Sequence, residues 1–228
     1  MSKPLTDSDI LGWDLRNWSR ALKYWKNKIP ENTNLNCLEI GANKGGISLW
    51  LASMGYNVIC SDVKPVSDEV KHWHKQFNLK GSISYEVIDA VNIPYADYFD
   101  VIILKSVLGG VSRRGHSEKL SETIFQIKKA LKPSGVFLFA ENLTGTKLHA
   151  FLRETFKKDV KDNWNYIHVE QMKEILKDFK ESSYETTGFA GAFGLYEPFR
   201  NVLGSIDGIL FKTLPANWHY IVYGYAKK

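Results

Sequence analysis

Apolar residues gather into short runs that alternate with amphipathic stretches along most of the chain. Runs at 37–40, 57–61, 82–88, 98–104 and 136–140 have strand length and are bounded by Gly, Asn, Asp or Pro. Helical patterning begins directly after the first run (Ile47, Leu49, Leu51) and again over 117–131, ahead of the fifth. Strand–helix alternation of this kind predicts a doubly wound α/β fold. Its parallel sheet is crossed right-handedly, and ligands sit at the carboxyl ends of the strands. Ahead of the sheet, Leu11, Leu15, Trp18, Leu22 and Trp25 fall at i, i+3/i+4 spacing and predict one amphipathic helix over 8–28. Such a stripe either packs into the core or lies across the strand ends and closes the cleft. After the fifth run, helices are predicted over 147–158 and 168–179, separated by 162–165. A strand-like segment at 184–189, a glycine-rich aromatic stretch at 188–194 and a helix carrying Arg200 and Asn201 come next. The last strand falls within 218–226.

The segment Cys37-Leu38-Glu39-Ile40-Gly41-Ala42-Asn43-Lys44-Gly45-Gly46 carries the most chemistry. A strand ends beside an acid, a glycine turn follows, and a helix N-terminus begins, which lets a ligand approach bare backbone. A second acid, Asp62, ends the next run at the spacing of about 20 residues at which a carboxylate accepts from ribose hydroxyls. These features point to a nucleoside ligand. A dinucleotide turn wants G-x-G-x-x-G, and the second glycine is replaced here by Asn43, a residue that tolerates φ > 0.

With Glu39 at the strand end, Glu39-x-Gly41-x-Asn43-x-Gly45 resembles the first motif of class I S-adenosylmethionine-dependent methyltransferases. The resemblance continues through Asp89-Ala90 after the third strand, Phe99-Asp100 opening the fourth, and the turn Leu131-Lys132-Pro133-Ser134-Gly135 before the fifth. It implies a mostly parallel seven-stranded sheet whose antiparallel last strand inserts between the fifth and sixth. It also implies S-adenosyl-L-methionine as cofactor and S-adenosyl-L-homocysteine as product. Glu39, Gly41, Asn43 and Gly45 would surround the amino-acid end, Asp62 the ribose and Asp89-Ala90 the adenine. The implied organisation is one domain: a helical cap (1–34), a cofactor-binding core (35–142) and a substrate side (143–228) that includes an insertion over 190–215. The segments Lys105-Ser106-Val107-Leu108-Gly109-Gly110 and Ala140-Glu141-Asn142-Leu143-Thr144-Gly145, with the aromatic C-terminal tail, resemble small methyltransferases of bacterial surface-polysaccharide and specialised-metabolite biosynthesis.

Composition adds bounds. The 228 residues suffice for one well-packed core. Strand-sized apolar runs fall short of the ~20 residues of a membrane helix. The first nine residues lack a signal peptide's apolar centre, and Cys37 and Cys60 both fall in predicted buried strands. The expectation is cytoplasmic. A net charge of +5 and a pI near 9.0 raise RNA as a partner. The lysines, however, are mixed with acids, as at Lys157, Lys158 and Lys161 among Glu154, Asp159 and Asp162, which reads as solvated helix faces. An anionic small acceptor fits the same charge.

Methyl transfer needs the acceptor held in line and, for a hydroxyl, a proton acceptor. Lys105 ends the fourth strand, where it can bind an anion, contact the cofactor or, if desolvated, act as base. Adenine-N6 and glutamine methyltransferases carry Asn/Asp-Pro-Pro-aromatic at that point; this chain does not. Glu141-Asn142 resembles the Asp-Asn of metal-dependent catechol-type enzymes, but a lysine at 105 competes with Mg²⁺, so no metal is expected. His149, one turn into the next helix, is the candidate base. Trp18, Asn142 and Arg200 are the candidate acceptor contacts. The reading is O-methylation of a sugar or sugar phosphate, with RNA methylation and a SAM-binding regulator without turnover as alternatives. Neither the acceptor's identity nor the oligomeric state follows from the sequence.

Overall fold

The computed structural model describes residues 3–31, 34–156, 164–210 and 212–228, the side chains of 152–156 excepted. Its strands are β1 (Asn36–Ile40), β2 (Asn57–Asp62), β3 (Ser82–Val87), β4 (Phe99–Lys105), β5 (Leu131–Asn142), β6 (Glu181–Thr187) and β7 (Ile221–Lys227). They form one sheet in the order β3-β2-β1-β4-β5-β7-β6. All pairings from β3 to β5 are parallel, and β7 runs antiparallel between β5 and β6. The predicted topology, with its inserted last strand, is the one observed. Register sets the edge that matters: Ile40 lies opposite Leu104, Lys105 opposite Ala140, and Asp62 opposite Val87, so the strand-end residues of β1, β2, β4 and β5 share one rim.

The period-2 alternation sends successive side chains to opposite faces. Leu38, Ile40, Ile102, Leu104, Phe137 and Phe139 pack beneath α6 (Glu118–Ala130) and α8 (Val169–Leu176). Cys37, Val101, Ile103, Leu138 and Ala140 pack beneath α2 (Leu15–Lys26) and α3 (Gly46–Ser53). Both cysteines are buried and unpaired. The remaining α-helices among the described residues are α1 (Asp7–Leu11), α4 (Asp68–His74), α5 (Leu108–Val111), α7 (Lys147–Phe156) and α9 (Glu197–Leu210). Among the described residues no helix is long and apolar enough to cross a membrane.

The single helix expected over 8–28 is two. Gly12 (φ 84°) and Asp14 (φ 47°) take left-handed backbone conformations and break it into α1 and α2. Asp14 supplies no side-chain cap to α2. The carboxylate of Glu197 does so from α9, accepting from the Asp14 and Leu15 N–H groups at 2.9 and 2.8 Å. A cap donated from 182–183 residues away leaves no local sequence signal. The continuation of α7 to 158, the 162–163 part of the separator and the charged run from Lys157 to Asp162 lie outside the described residues, as does the side chain of Glu154.

Candidate active site

The turn after β1 is held from below and beside. Glu39 is buried, and its Oε2 accepts from the Ser48 N–H at 2.8 Å and the Ser48 hydroxyl at 2.5 Å, which ties β1 to the first turn of α3. Burial raises the Glu39 pKa to about 7 against those hydrogen bonds and the nearby Lys105 charge. Asn43 sits at φ 51°, and its N–H donates to Asp62 Oδ2 at 2.9 Å. Gly45 is left-handed at φ 65°, and a Cβ there would lie 2.7 Å from both Cys60 Sγ and His74 Cε1. A Cβ on Gly46 would lie 2.4 Å from the carbonyl oxygens of Asp9 and Ile10, because α1 crosses the start of α3. The helical cap therefore closes over the glycine turn.

Lys105, at the end of β4, rests 4.4 Å above the Trp18 ring and 5.9 Å from that of Trp13. Burial lowers its pKa to about 8, opposed by the charges of Glu141, Glu39 and Asp14. Glu141 is fully buried and points away from any ligand role. Its Oε2 accepts from the Val107 and Leu108 N–H groups at 2.8 and 2.7 Å, and its Oε1 from Asn142 N–H at 3.0 Å. It fixes the turn after β4 and caps α5, with its pKa pushed up to about 7 by burial. Asn142 donates from Nδ2 to Ser106 Oγ at 2.8 Å, joining the ends of β4 and β5.

One cleft of about 1490 Å³ runs along this rim. Glu39, Gly41, Asn43, Lys105, Asn142, His149 and Arg200, all expected site residues, lie on its wall. Gly45 lies behind the wall, with Gly46 reaching it instead. Asp62, Asp89 and Ala90 lie off this wall, along the neighbouring strand ends. There Val63 and Val87, 61% and 58% exposed, form an apolar shelf next to the two acids. Asp89 is exposed and accepts from the Val91 N–H at 3.2 Å; Ala90 is buried.

Two expectations need correction. Trp18 is fully buried beneath the cleft as core, and Trp13, edge-on to it at 5.9 Å, is the residue that lines the wall. The break at Gly12–Asp14 is what turns Trp13 into that position. His149 touches the cleft, but its Nδ1 accepts from the Thr146 N–H at 3.1 Å, which requires Nε2 to carry the proton, donated to the Phe189 carbonyl at 2.9 Å. The ring also stacks on Phe193 at 4.9 Å. A neutral imidazole with both nitrogens engaged latches the 189–193 segment and is not free to take a proton from an acceptor.

Arg200 lies 5.5 Å from the Trp13 ring and 3.8 Å from Glu197. Sequence reasoning missed Arg113, Trp164 and Phe199, which complete the wall. Trp164 packs so closely on α5 that a Cβ at Gly109 would meet its Nε1 at 2.2 Å. The Gly109-Gly110 pair after β4 was the available signal that a large side chain settles there. Among the described residues no group of three His, Cys, Asp or Glu side chains converges as a metal site.

Residues 38–139 match the family model described as a methyltransferase domain. Over this stretch, a little under half of the chain, the sequence resembles a methyltransferase domain. Its fold is that of the class I, S-adenosylmethionine-dependent enzymes. Similar solved structures include phosphoethanolamine N-methyltransferase 2 of Haemonchus contortus in complex with S-adenosyl-L-methionine, at 20% identity and TM-score 0.62, covering 98% of this chain and 57% of that one. A SAM-dependent methyltransferase of Methanosarcina mazei matches at 15% identity and TM-score 0.58, covering 90% and 96%. One from Archaeoglobus fulgidus matches at 17% and 0.57, covering 92% and 91%. The chain spans about half the length of the Haemonchus enzyme. No curated protein sequence matches it.

The rim fits the cofactor of those enzymes chemically. A turn with positive φ at Gly41, Asn43 and Gly45 exposes backbone, and Glu39 places an acid behind it for a cationic amino-acid end. Asp62 offers a carboxylate oxygen beyond the one that holds Asn43, and the Val63–Val87 shelf suits a flat apolar base.

Proposed function

We propose that this methyltransferase domain O-methylates a small polar acceptor bearing a negative charge, such as a sugar or sugar phosphate of a surface glycan. S-adenosyl-L-methionine, when bound, supplies the electrophilic methyl group. The observation that carries the reading is the cleft itself. At about 1490 Å³ it exceeds the ~300–1,000 Å³ of ordinary single-ligand pockets and so has room for an acceptor beside the amino-acid and methyl-bearing end of the cofactor. Beyond the glycine turn its wall combines two guanidinium cations, Arg113 and Arg200, and the Lys105 amine with the aromatic faces of Trp13, Trp164 and Phe199. Guanidinium forks suit a phosphate or carboxylate, and aromatic faces suit the apolar side of a sugar ring.

Glu39, Gly41, Asn43 and, behind them, Gly45 hold the amino-acid end of the cofactor at the cleft wall, while Asp62 holds its ribose and Asp89-Ala90 its adenine along the neighbouring strand ends, outside that wall. Lys105 is the proton acceptor. Burial holds its amine near pKa 8, so a usable fraction is neutral at physiological pH and takes the hydroxyl proton onto Nζ. Asn142, fixed to Ser106, orients the acceptor, and Arg200 and Trp13 close over it. The aromatic wall supports a second reading, a small phosphorylated amine methylated on nitrogen, since such faces also hold cations. The Haemonchus neighbour was solved in complex with phosphomonomethylethanolamine, a molecule of that kind.

The test is S-adenosylhomocysteine release with a panel of sugars, sugar phosphates, phosphorylated amines and RNA, the product's methyl position being read by NMR. O-methylated sugar or sugar phosphate is expected. Turnover with RNA alone, or none with any small acceptor, overturns the reading.

A further inference from the structure

We infer that α9, together with the outer face of α2, docks this protein onto an anionic lipid bilayer surface. The amphipathicity of α9 is inverted. At 100° per residue, Glu197, Arg200, Gly204, Asp207 and Gly208 share one side, and Phe199, Val202, Ile206 and Ile209 share the other. The polar side faces inward. Glu197 caps α2, and Arg200 lies against Trp13. The buried Asp207 accepts from the Ala190 and Gly191 N–H groups at 2.7 and 2.9 Å and from Asn17 Nδ2 at 3.0 Å. The apolar side faces out: Val202 is 60% exposed, Ile206 43% and Ile209 79%. Of the thirteen large apolar residues exposed among the described ones, six fall within 195–209, so the feature is a patch, not scatter.

Charge identifies the partner. Alongside α9 lies α2, whose twelve residues include Arg16, Arg20, Lys23 and Lys26 and no acid. The two helices touch through glycine: a Cβ on Gly204 would meet Arg16 Cβ at 2.8 Å, and one on Gly208 would meet Arg20 Nη2 at 3.0 Å. Arg16, Lys23 and Lys26 are exposed. The acids Glu181 and Glu185 lie beside Tyr24, near the far end of α2, and accept from the Tyr225 and Tyr223 hydroxyls. An apolar strip flanked by cations, on a chain of net charge +5, complements a surface that is apolar within and negative at its headgroups. A second copy of the chain fits worse, because a two-fold contact through this face would bring both α2 cation rows together. The patch is continuous with the cleft, whose wall includes Leu195, Phe199 and Arg200, so docking would set the cleft mouth at headgroup level.

Flotation of the full chain with phosphatidylcholine vesicles, pure or containing roughly one-third phosphatidylserine, tests this. Binding to the anionic vesicles, lost at high salt and weak on the neutral ones, is expected. Arg16→Gln and Lys23→Gln should each weaken it about fivefold. Val202→Asp/Ile206→Asp/Ile209→Asp should reduce it to background with an unchanged circular dichroism spectrum. No binding to the anionic vesicles, or equal binding to both kinds, overturns the inference. So does a wild-type dimer in sedimentation velocity that Ile206→Asp dissociates. S-adenosylhomocysteine affinity measured on the same samples tells a failure here from a failure of the proposed activity, since neither set of substitutions touches the cofactor rim.

Discussion

Asp62 has two jobs in this account, and two substitutions separate them. One carboxylate oxygen accepts the Asn43 N–H at 2.9 Å and so shapes the glycine turn before any ligand arrives. The other is assigned to the ribose. Hydrogen bonds to a charged group contribute about 1.5–3 kcal/mol each. Asp62→Ala removes the ribose contact and leaves the turn less ordered, a combined loss of about 2–4 kcal/mol in cofactor affinity, or roughly 30- to 700-fold in Kd. It should also lower the stability of the free protein by about 1 kcal/mol, because a partly exposed loop anchor is lost. Asp62→Asn keeps an oxygen for Asn43 and gives up the charge. It should hold free-protein stability within about 0.5 kcal/mol while weakening affinity by about 1–2 kcal/mol, or roughly 5- to 30-fold. Isothermal titration with S-adenosylhomocysteine reads the affinities, and urea unfolding without ligand reads the stabilities. The reasoning fails if Asp62→Ala binds within about threefold of the parent chain, or if both substitutions lower stability alike and leave affinity untouched.

Three further outcomes are expected. With Lys105 as base, kcat/KM should climb about tenfold per pH unit below pH 8 and level off above it, because only the neutral amine accepts a proton; Lys105→Ala should cost about 10²–10⁴-fold, and a flat profile would remove the role. Burial raises the Asp14 pKa from 3.8 to about 6, so the folded state holds that proton more tightly than the unfolded one. Stability should therefore fall by up to about 3 kcal/mol as pH rises from near 4 to above 6, and Asp14→Asn should flatten that slope in urea unfolding at a series of pH values. His149→Phe keeps the stack on Phe193 and loses the bonds to Thr146 and Phe189; it should lower unfolding free energy by about 1–3 kcal/mol with turnover nearly intact, whereas a hundredfold loss of kcat at unchanged stability would restore His149 as a base.

What was legible in the sequence follows from how local its causes are. Strand runs and the Gly41–Gly46 turn are set by side-chain alternation and by backbone conformations that only certain residues adopt, so β1 to β4 fell close to the expected runs, whereas β5 begins at Leu131 and takes in the 131–135 segment expected as a turn. The inserted β7 was reached through family resemblance. The break between α1 and α2 depends on Glu197, and the identity of the wall aromatic, Trp13 and not Trp18, depends on that break. The behaviour of His149 is likewise non-local, since its proton is placed by Thr146 on one side and by the Phe189 carbonyl, forty residues away, on the other. Position after a strand named His149 as a candidate; its partners decide what it does.

A crystal structure of the full chain with S-adenosylhomocysteine tests the central claim most directly. The account predicts adenine on the Val63–Val87 shelf beside Asp89-Ala90, ribose on Asp62 and the amino-acid end at the Glu39–Gly45 turn. The sulfur should open toward Lys105 and Asn142 in the wide part of the cleft. Density for the ligand away from that turn, or a sulfur facing a surface built without the ends of β4 and β5, would contradict it.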